Sequence, residues 1–193
     1  MIVAIASFYR VDELRRFARL RRNAVVLALV ALVGVLVLGV LPGLLLAVGL
    51  SLVQLMQRLS TPPVTLLARN PATGAWGSKE RHPDWGLAPG VVVAGAEGPL
   101  FYANAETVKK RLVESVYAAQ PKPAALVLDL ARNDEIDVQA LDMLGDLADE
   151  LASRGVELRL AGVHVRVLEL LRRSGLAARV HIEPTLDAAV RER

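Results

Sequence analysis

Residues 24–57, AVVLALVALVGVLVLGVLPGLLLAVGLSLVQLMQ, contain no charged side chain and about 22 Val, Leu and Met residues. Aliphatic residues of this kind each favour insertion by roughly 0.3 to 0.6 kcal/mol, and nothing in the run offsets them. The run is therefore read as a membrane segment rather than a buried hairpin of a soluble core. A single straight helix of this length would extend roughly 50 Å, against a hydrocarbon core of about 30 Å. Proline removes a backbone donor, and an adjacent glycine has permissive dihedrals. Pro42-Gly43 is accordingly the expected point of reversal, giving a transmembrane helical hairpin with helices near Val25–Leu38 and Leu44–Gln57. Both are shorter than the ~20 residues of a full span, which predicts tilting, bending or packing against other membrane helices.

Charge gives the expected orientation. Arg10, Arg15, Arg16, Arg19, Arg21 and Arg22 precede the run against Asp12 and Glu13, so residues 1–23 carry +4, while Arg58 and Arg69 follow it. A hairpin places both flanks on one side, and the positive-inside rule makes that side cytoplasmic. The expectation is a multi-pass protein of the cell inner (plasma) membrane with both termini and the following domain in the cytoplasm. A signal peptide fits poorly, because the apolar run is too long and lacks a small-residue cleavage site.

The net charge of +3 conceals this asymmetry: residues 58–193 hold 17 basic and 18 acidic side chains. The basic flank suits anionic lipid headgroups and needs no nucleic acid to explain it. Aromatic residues make up 4% of the chain, too few for a base-stacking surface. The chain has no cysteine, which excludes disulfides, thiol nucleophiles and thiolate metal sites.

Beyond the run, residues 58–63 read as a linker stiffened by Thr61-Pro62-Pro63, and 64–193 as one domain. Val64–Ala68 reads as a short strand and Arg69–Gly90 as a polar loop. Val91–Ala94 and Ala124–Leu130 are short apolar runs bounded by turn residues, as in strands covered on both faces. Val156–Leu160 alternates, which predicts a strand with one wet face. Ala105, Val108, Leu112 and Val116 share one helical face, and Leu141, Leu144, Leu147, Ala148 and Leu151 share another. A third helix, about Val165 to Ser174, is expected to end with Gly175 in the left-handed region and Leu176 against Leu171. Alternating strands and helices indicate an α/β sandwich with a largely parallel sheet and the first strand as a hairpin partner.

At Pro99-Leu100-Phe101-Tyr102-Ala103-Asn104-Ala105-Glu106 the chain resembles the "PLFFANAE"-like start of the STAS domain of bacterial SulP anion transporters. Leu126–Leu130 and Ile136–Ala140 are similar to that family's "VLD…IDxTA" strand, loop and helix, and Leu171–Leu176 to its "LxRSGL". The upstream hairpin resembles the last two membrane helices of these transporters, with Gly39-Val40-Leu41-Pro42-Gly43-Leu44 in place of "GVxxGI". Met1–Phe8 would then be the tail of the preceding helix. The resemblance implies a STAS-like α/β sandwich with a mixed, largely parallel sheet behind a transmembrane hairpin. It also implies a role as the C-terminal fragment of a secondary anion transporter of sulfate, bicarbonate or dicarboxylates. The domain would be a regulatory or assembly module, unable to transport alone because the run has no charged residue to bind substrate. Its expected partners are membrane lipid, the remaining transporter helices or another SulP protomer in a homodimer, and a cytoplasmic protein. The alternative is a membrane-tethered signalling module that binds a protein, as anti-sigma-factor antagonists of the same fold do.

The loop Ala131–Gln139 joins a central strand to a helix N-terminus, where α/β domains expose backbone donors. In the antagonists this loop carries Asp-Ser-Ser-Gly with a phosphorylated second serine. Asp137-Val138-Gln139-Ala140 corresponds here, so Gln139 replaces the phosphoserine and the switch is absent. Two readings of Asp137 stand: a helix N-cap, or part of a docking surface formed by Arg132, Asn133, Asp134, Asp137 and Gln139. His82, His164 and His181 fall in a loop and near element ends, as surface or capping residues do. No phosphate-binding glycine loop or Gly-x-Ser-x-Gly is present, so no catalytic residue, metal, cofactor or enzyme activity is expected.

If the run reverses within the bilayer, reporters fused at residue 1 and residue 193 will report the same side of the membrane. Opposite sides would mean a single span.

Overall fold

The computed structural model describes residues 22–60, 64–96 and 98–191. The basic segment 1–21, including the expected helix tail at Met1–Phe8, and the linker Thr61-Pro62-Pro63 lie outside the described residues. The chain divides into two compact units, Met1–Arg58 and Leu59–Arg193.

In the first unit, helix α1 spans Arg22–Leu38 and α2 spans Val40–Ser60. The break falls at Gly39 and not at Pro42-Gly43. Gly39 has φ +90°, a conformation that costs a glycine little and other residues more. Pro42 is the third residue of α2, where backbone N–H groups have no partner within the helix, so its missing donor costs no hydrogen bond. Gly43 serves packing instead. A Cβ there would lie 2.5 Å from the Val35 backbone nitrogen and Cα, so its bare backbone lets the helices touch. A Cβ at Gly34 would sit 3.7 Å from the Gly43 Cα, although a continuous helix would set those residues about 13 Å apart. The chain therefore doubles back through a one-residue turn. Val40–Gln57 is long and apolar enough to cross a membrane, with mean hydropathy 1.8, and α1 contributes the shorter apolar stretch Ala28–Leu38. Leu36, Val37 and Val40 are about three-quarters exposed, as suits lipid or another apolar surface.

The second unit is built on a six-stranded sheet of order β2-β1-β3-β4-β5-β6. Strands β1 (Val64–Arg69) and β2 (Trp76–Ser78) pair antiparallel, and β1 runs antiparallel to β3 (Val91–Ala96). β3, β4 (Ala125–Asp129), β5 (Glu157–Ala161) and β6 (His181–Glu183) are parallel. Helices α3 (Ala105–Ala118), α4 (Val138–Ala152) and α5 (Val165–Arg173) make the crossovers, and α6 (Leu186–Val190) closes the described chain.

Alternation along the strands feeds two cores. Val92, Ala94, Leu126, Leu128, Leu158 and Leu160 meet the expected helix faces, including Val108, Leu112, Leu144 and Leu147. Val91, Val93, Ala125, Val127 and Ala161 form the second core with Ala189 of α6, and Leu67 and Trp76 pack against it. Gly175 adopts φ +78° after α5, and Leu176 and Leu171 are buried in the same core.

Two local expectations are revised, and the chain after Leu176 adds elements for which no expectation was stated. The loop 69–90 contains β2, which exists because β1 offers it an edge. β6 and α6 complete the sheet and its second core. The face of β5 expected to be wet is covered: Arg159 is 16% exposed, pairs with Glu157 at 2.6 Å, and donates to the Ala189 carbonyl at 2.9 Å.

Because both cores lie within Leu59–Arg193, a fragment of residues 62–193 is expected to unfold in one cooperative thermal transition. Leu128→Ala, at a fully buried site, should cost about 2–5 kcal/mol in denaturant titration. A gradual transition, or a loss below about 1 kcal/mol, would show that the core is not closed.

Candidate functional site

β3, β4 and β5 end side by side, so the loops that follow them gather at one edge of the sheet. The loop after β4 is held from several directions. The Asp129 carboxylate accepts the Ala131 N–H at 3.0 Å as the chain leaves the strand. Asn133 is completely buried: its N–H donates to the Leu130 carbonyl at 2.9 Å and its Nδ2 to the Gly98 carbonyl at 2.6 Å. Ile136 then forms a parallel bridge with Leu100. The loops after β3 and β4 are thereby zipped together.

Asp137 closes the zipper. Its Oδ1 accepts the Ala140 N–H at 2.7 Å, the bond of a helix N-cap, and its Oδ2 accepts the Tyr102 N–H at 2.7 Å. The capping reading is thus what the geometry displays, with a second bond to a residue 35 positions away. Asn104 does the same for its own loop, accepting the Phe101 N–H at 3.0 Å and donating to the Pro99 carbonyl at 2.8 Å. From the other side, His164 Nε2 donates to the Ala131 carbonyl at 2.8 Å. Gly162, at φ +67°, lets the β5 loop approach, since a Cβ there would fall 2.9 Å from the Ala131 Cβ.

The five residues singled out in the sequence separate into two groups. Asn133 and Asp137 are engaged in holding the loops. Arg132, Asp134 and Gln139 are exposed at the same edge. Sequence reasoning passed over the apolar part of this edge: Tyr102, Val138 and Val165 are 61%, 70% and 83% exposed, beside the first turns of α3, α4 and α5. For Val138 and Val165 the signal was a large apolar residue directly after a cap position, outside the periodic core face. The other histidines are engaged: His82 stacks on Trp85 with ring centroids 4.0 Å apart, and His181 Nδ1 lies 2.8 Å from Glu157. Among the described residues no three His, Asp or Glu side chains gather as a metal site.

The class defined here is a mixed α/β domain with tied loops at one sheet edge, following a pair of apolar helices. Residues 85–189 match the STAS domain model, and the chain belongs to the STAS domain family. It is 35% identical over 194 residues to a probable sulfate transporter of Mycobacterium tuberculosis, covering 98% of this chain and 35% of that protein. It is 29% identical over 152 residues to low affinity sulfate transporter 3 of Stylosanthes hamata, covering 74% of this chain and 24% of that one. The chain thus spans about a third or less of the length of these relatives. Its fold matches the murine Solute Carrier 26 family member A9 anion transporter in its inward-facing state. That match has TM-score 0.78 and 18% identity over 96% of this chain and 30% of the other.

Asp137→Ala removes a cap and leaves the Tyr102 N–H without its partner. Chemical denaturation should show a loss of about 1–3 kcal/mol, while Asp134→Ala, at an exposed position, stays within about 0.5 kcal/mol. Equal small losses would show that the Asp137 bonds contribute nothing.

Proposed function

We propose that this chain is part of a SulP-type secondary anion transporter, in which α1 and α2 lie in the plasma membrane as a hairpin and the STAS domain is a cytoplasmic regulatory and assembly module. The observation that carries this reading is the continuity of one relationship. At 35% identity, the similarity to a sulfate transporter runs through 98% of the chain, apolar helices and α/β domain alike. In α2 the membrane-length stretch is only 6% buried, which leaves a surface for lipid, further transporter helices or a second protomer.

The chain does not transport by itself on this reading. Residues 24–57 offer no charged group to an anion, and the two apolar helices among the described residues do not supply the paired broken helices that alternating access uses. Purified chain in liposomes should release trapped sulfate no faster than protein-free liposomes. Saturable flux would overturn this part of the reading.

The STAS domain acts by docking through Arg132, Asp134 and Gln139, with Asn133 and Asp137 holding the loop. Gln139 has no hydroxyl to phosphorylate, so regulation acts through binding. Gln139→Glu adds a negative charge in the first turn of α4, where the helix dipole favours it by about 0.3–1 kcal/mol. The variant should therefore fold normally and co-purify less well with the separately expressed remaining helices of its transporter. Unchanged co-purification would remove the loop as the docking surface without touching the transporter assignment.

A further inference from the structure

The strand order places β6 at one edge of the sheet and β2 at the other. The helix that follows β6 nevertheless reaches the far edge. In α6, Asp187 Oδ1 accepts the indole N–H of Trp76 on β2 at 3.1 Å and lies 3.2 Å from a guanidinium nitrogen of Arg69 on β1. Between the two edges Ala189 shares the second core with Val93 of β3, Val127 of β4 and Ala161 of β5, and its carbonyl accepts from Arg159 of β5 at 2.9 Å. One short helix therefore crosses the second face of the sheet from β6 to β2.

Its grip is slight for so wide a reach. Five residues are too few to hold a helix in water without packing. Ala189 is the one residue of α6 that is buried, while Leu186 and Val190 are partly buried, and the Thr185 hydroxyl caps the first turn at 3.2 Å. The Arg69 and Asp187 side chains are 53% and 41% exposed, so water screens their ion pair. The larger core, which holds Leu126, Leu128 and Leu160 under α3 and α4, takes no residue from α6. Loss of α6 would leave that core closed, the condition for a local opening well below the cost of unfolding the domain.

We propose that α6 is a releasable strap across the second face of the sheet, fastened to the far edge by Asp187. It leaves as a unit while β3, β4 and β5 stay paired, and because Asp187 holds Trp76, release of α6 and loosening of β2 are one event. The open form uncovers Val91, Val93 and Val127. Linkage makes the coupling reciprocal: whatever displaces Trp76 favours release of α6, and whatever holds α6 down stiffens β2. The strap uses no residue of the loops 98–104 and 130–137, so it is independent of the docking reading.

Hydrogen exchange of the full chain in detergent at constant pH, read by mass spectrometry on peptides covering α6, β2 and β4, tests this. In the unmodified chain α6 and β2 should exchange about a hundredfold faster than β4. Asp187→Ala should speed exchange in both α6 and β2 about fivefold, the loss of one hydrogen bond to a carboxylate at a half-exposed site, with β4 unchanged. Trp76→Phe, which keeps a ring in the second core, should speed α6 about threefold. Asp187 also lies in the first turn of α6, where an acid favours the helix by itself. An effect of Asp187→Ala confined to α6 is therefore only a local helix effect and overturns the proposal, as does an effect of Trp76→Phe confined to β2. Exchange of α6 as slow as that of β4, or β4 speeding in step with α6 in either variant, would show that α6 opens only with the whole domain and overturns it too.

Discussion

The constraint on which the domain rests is the burial of β4 on both faces. Ala125, Leu126, Val127 and Leu128 are all fully buried, which requires a paired strand on each side and a layer above and below. Parallel neighbours satisfy the first need, and because parallel strands cannot be joined by a tight turn, each connection must cross back as a helix. The second need divides those residues. Leu126 and Leu128 reach the large core under α3 and α4, while Ala125 and Val127 meet the small second core. Ala161 and Ala189 keep that second layer thin enough for the five-residue α6 to cover it. One consequence is functional: every strand-to-helix loop emerges at the same edge, bringing residues 98–104, 130–137 and 162–164 together.

The parts of this arrangement legible in the sequence are those with local causes. VVVA at 91–94 and ALVLD at 125–129 are unbroken apolar runs of strand length, and the buried faces of α3 and α4 follow a helical period. Gly175 marks its own left-handed turn. What was not legible has nonlocal causes. Trp76–Ser78 sits in a stretch rich in glycine and charge and becomes a strand only by pairing with β1, with the Trp76 indole N–H reaching Asp187 at 3.1 Å across 111 residues. His181–Glu183 and Leu186–Val190 are too short to form alone and are held by packing. Arg159 seemed to promise a wet face because α6, which covers it, had no sequence signal. In the apolar run two glycines competed for the turn: Gly39 took it, while Gly43 was needed where α2 approaches Val35.

The candidate site shows the same division. An aspartate before a helical pattern announces a cap, so one oxygen of Asp137 was readable. The other, on the Tyr102 N–H, depends on the β3 loop arriving alongside, as does the burial of Asn133 against Gly98. Arg132 stood in the sequence as one residue of a charged loop. Its place in the wall of a cavity with Thr65 and Ser78 follows only from the sheet order, in which β1 flanks β3 and β3 flanks β4.

These ties determine how the loop edge could work. A loop fixed by Asn133, Asp137 and the His164 bond to Ala131 presents its exposed side chains already ordered, so a partner would recover binding energy without first ordering the backbone. Tyr102, Val138 and Val165 offer apolar area, and Arg132 and Asp134 border it with both signs of charge, the composition of a small interface with a polar rim. Covalent switching fits this edge poorly. Gln139 offers no hydroxyl, and both oxygens of Asp137 already accept backbone N–H groups, so an acyl phosphate there would break the cap and the link between the loops. On the proposed docking reading, recognition of a preformed surface is the chemistry left to this loop.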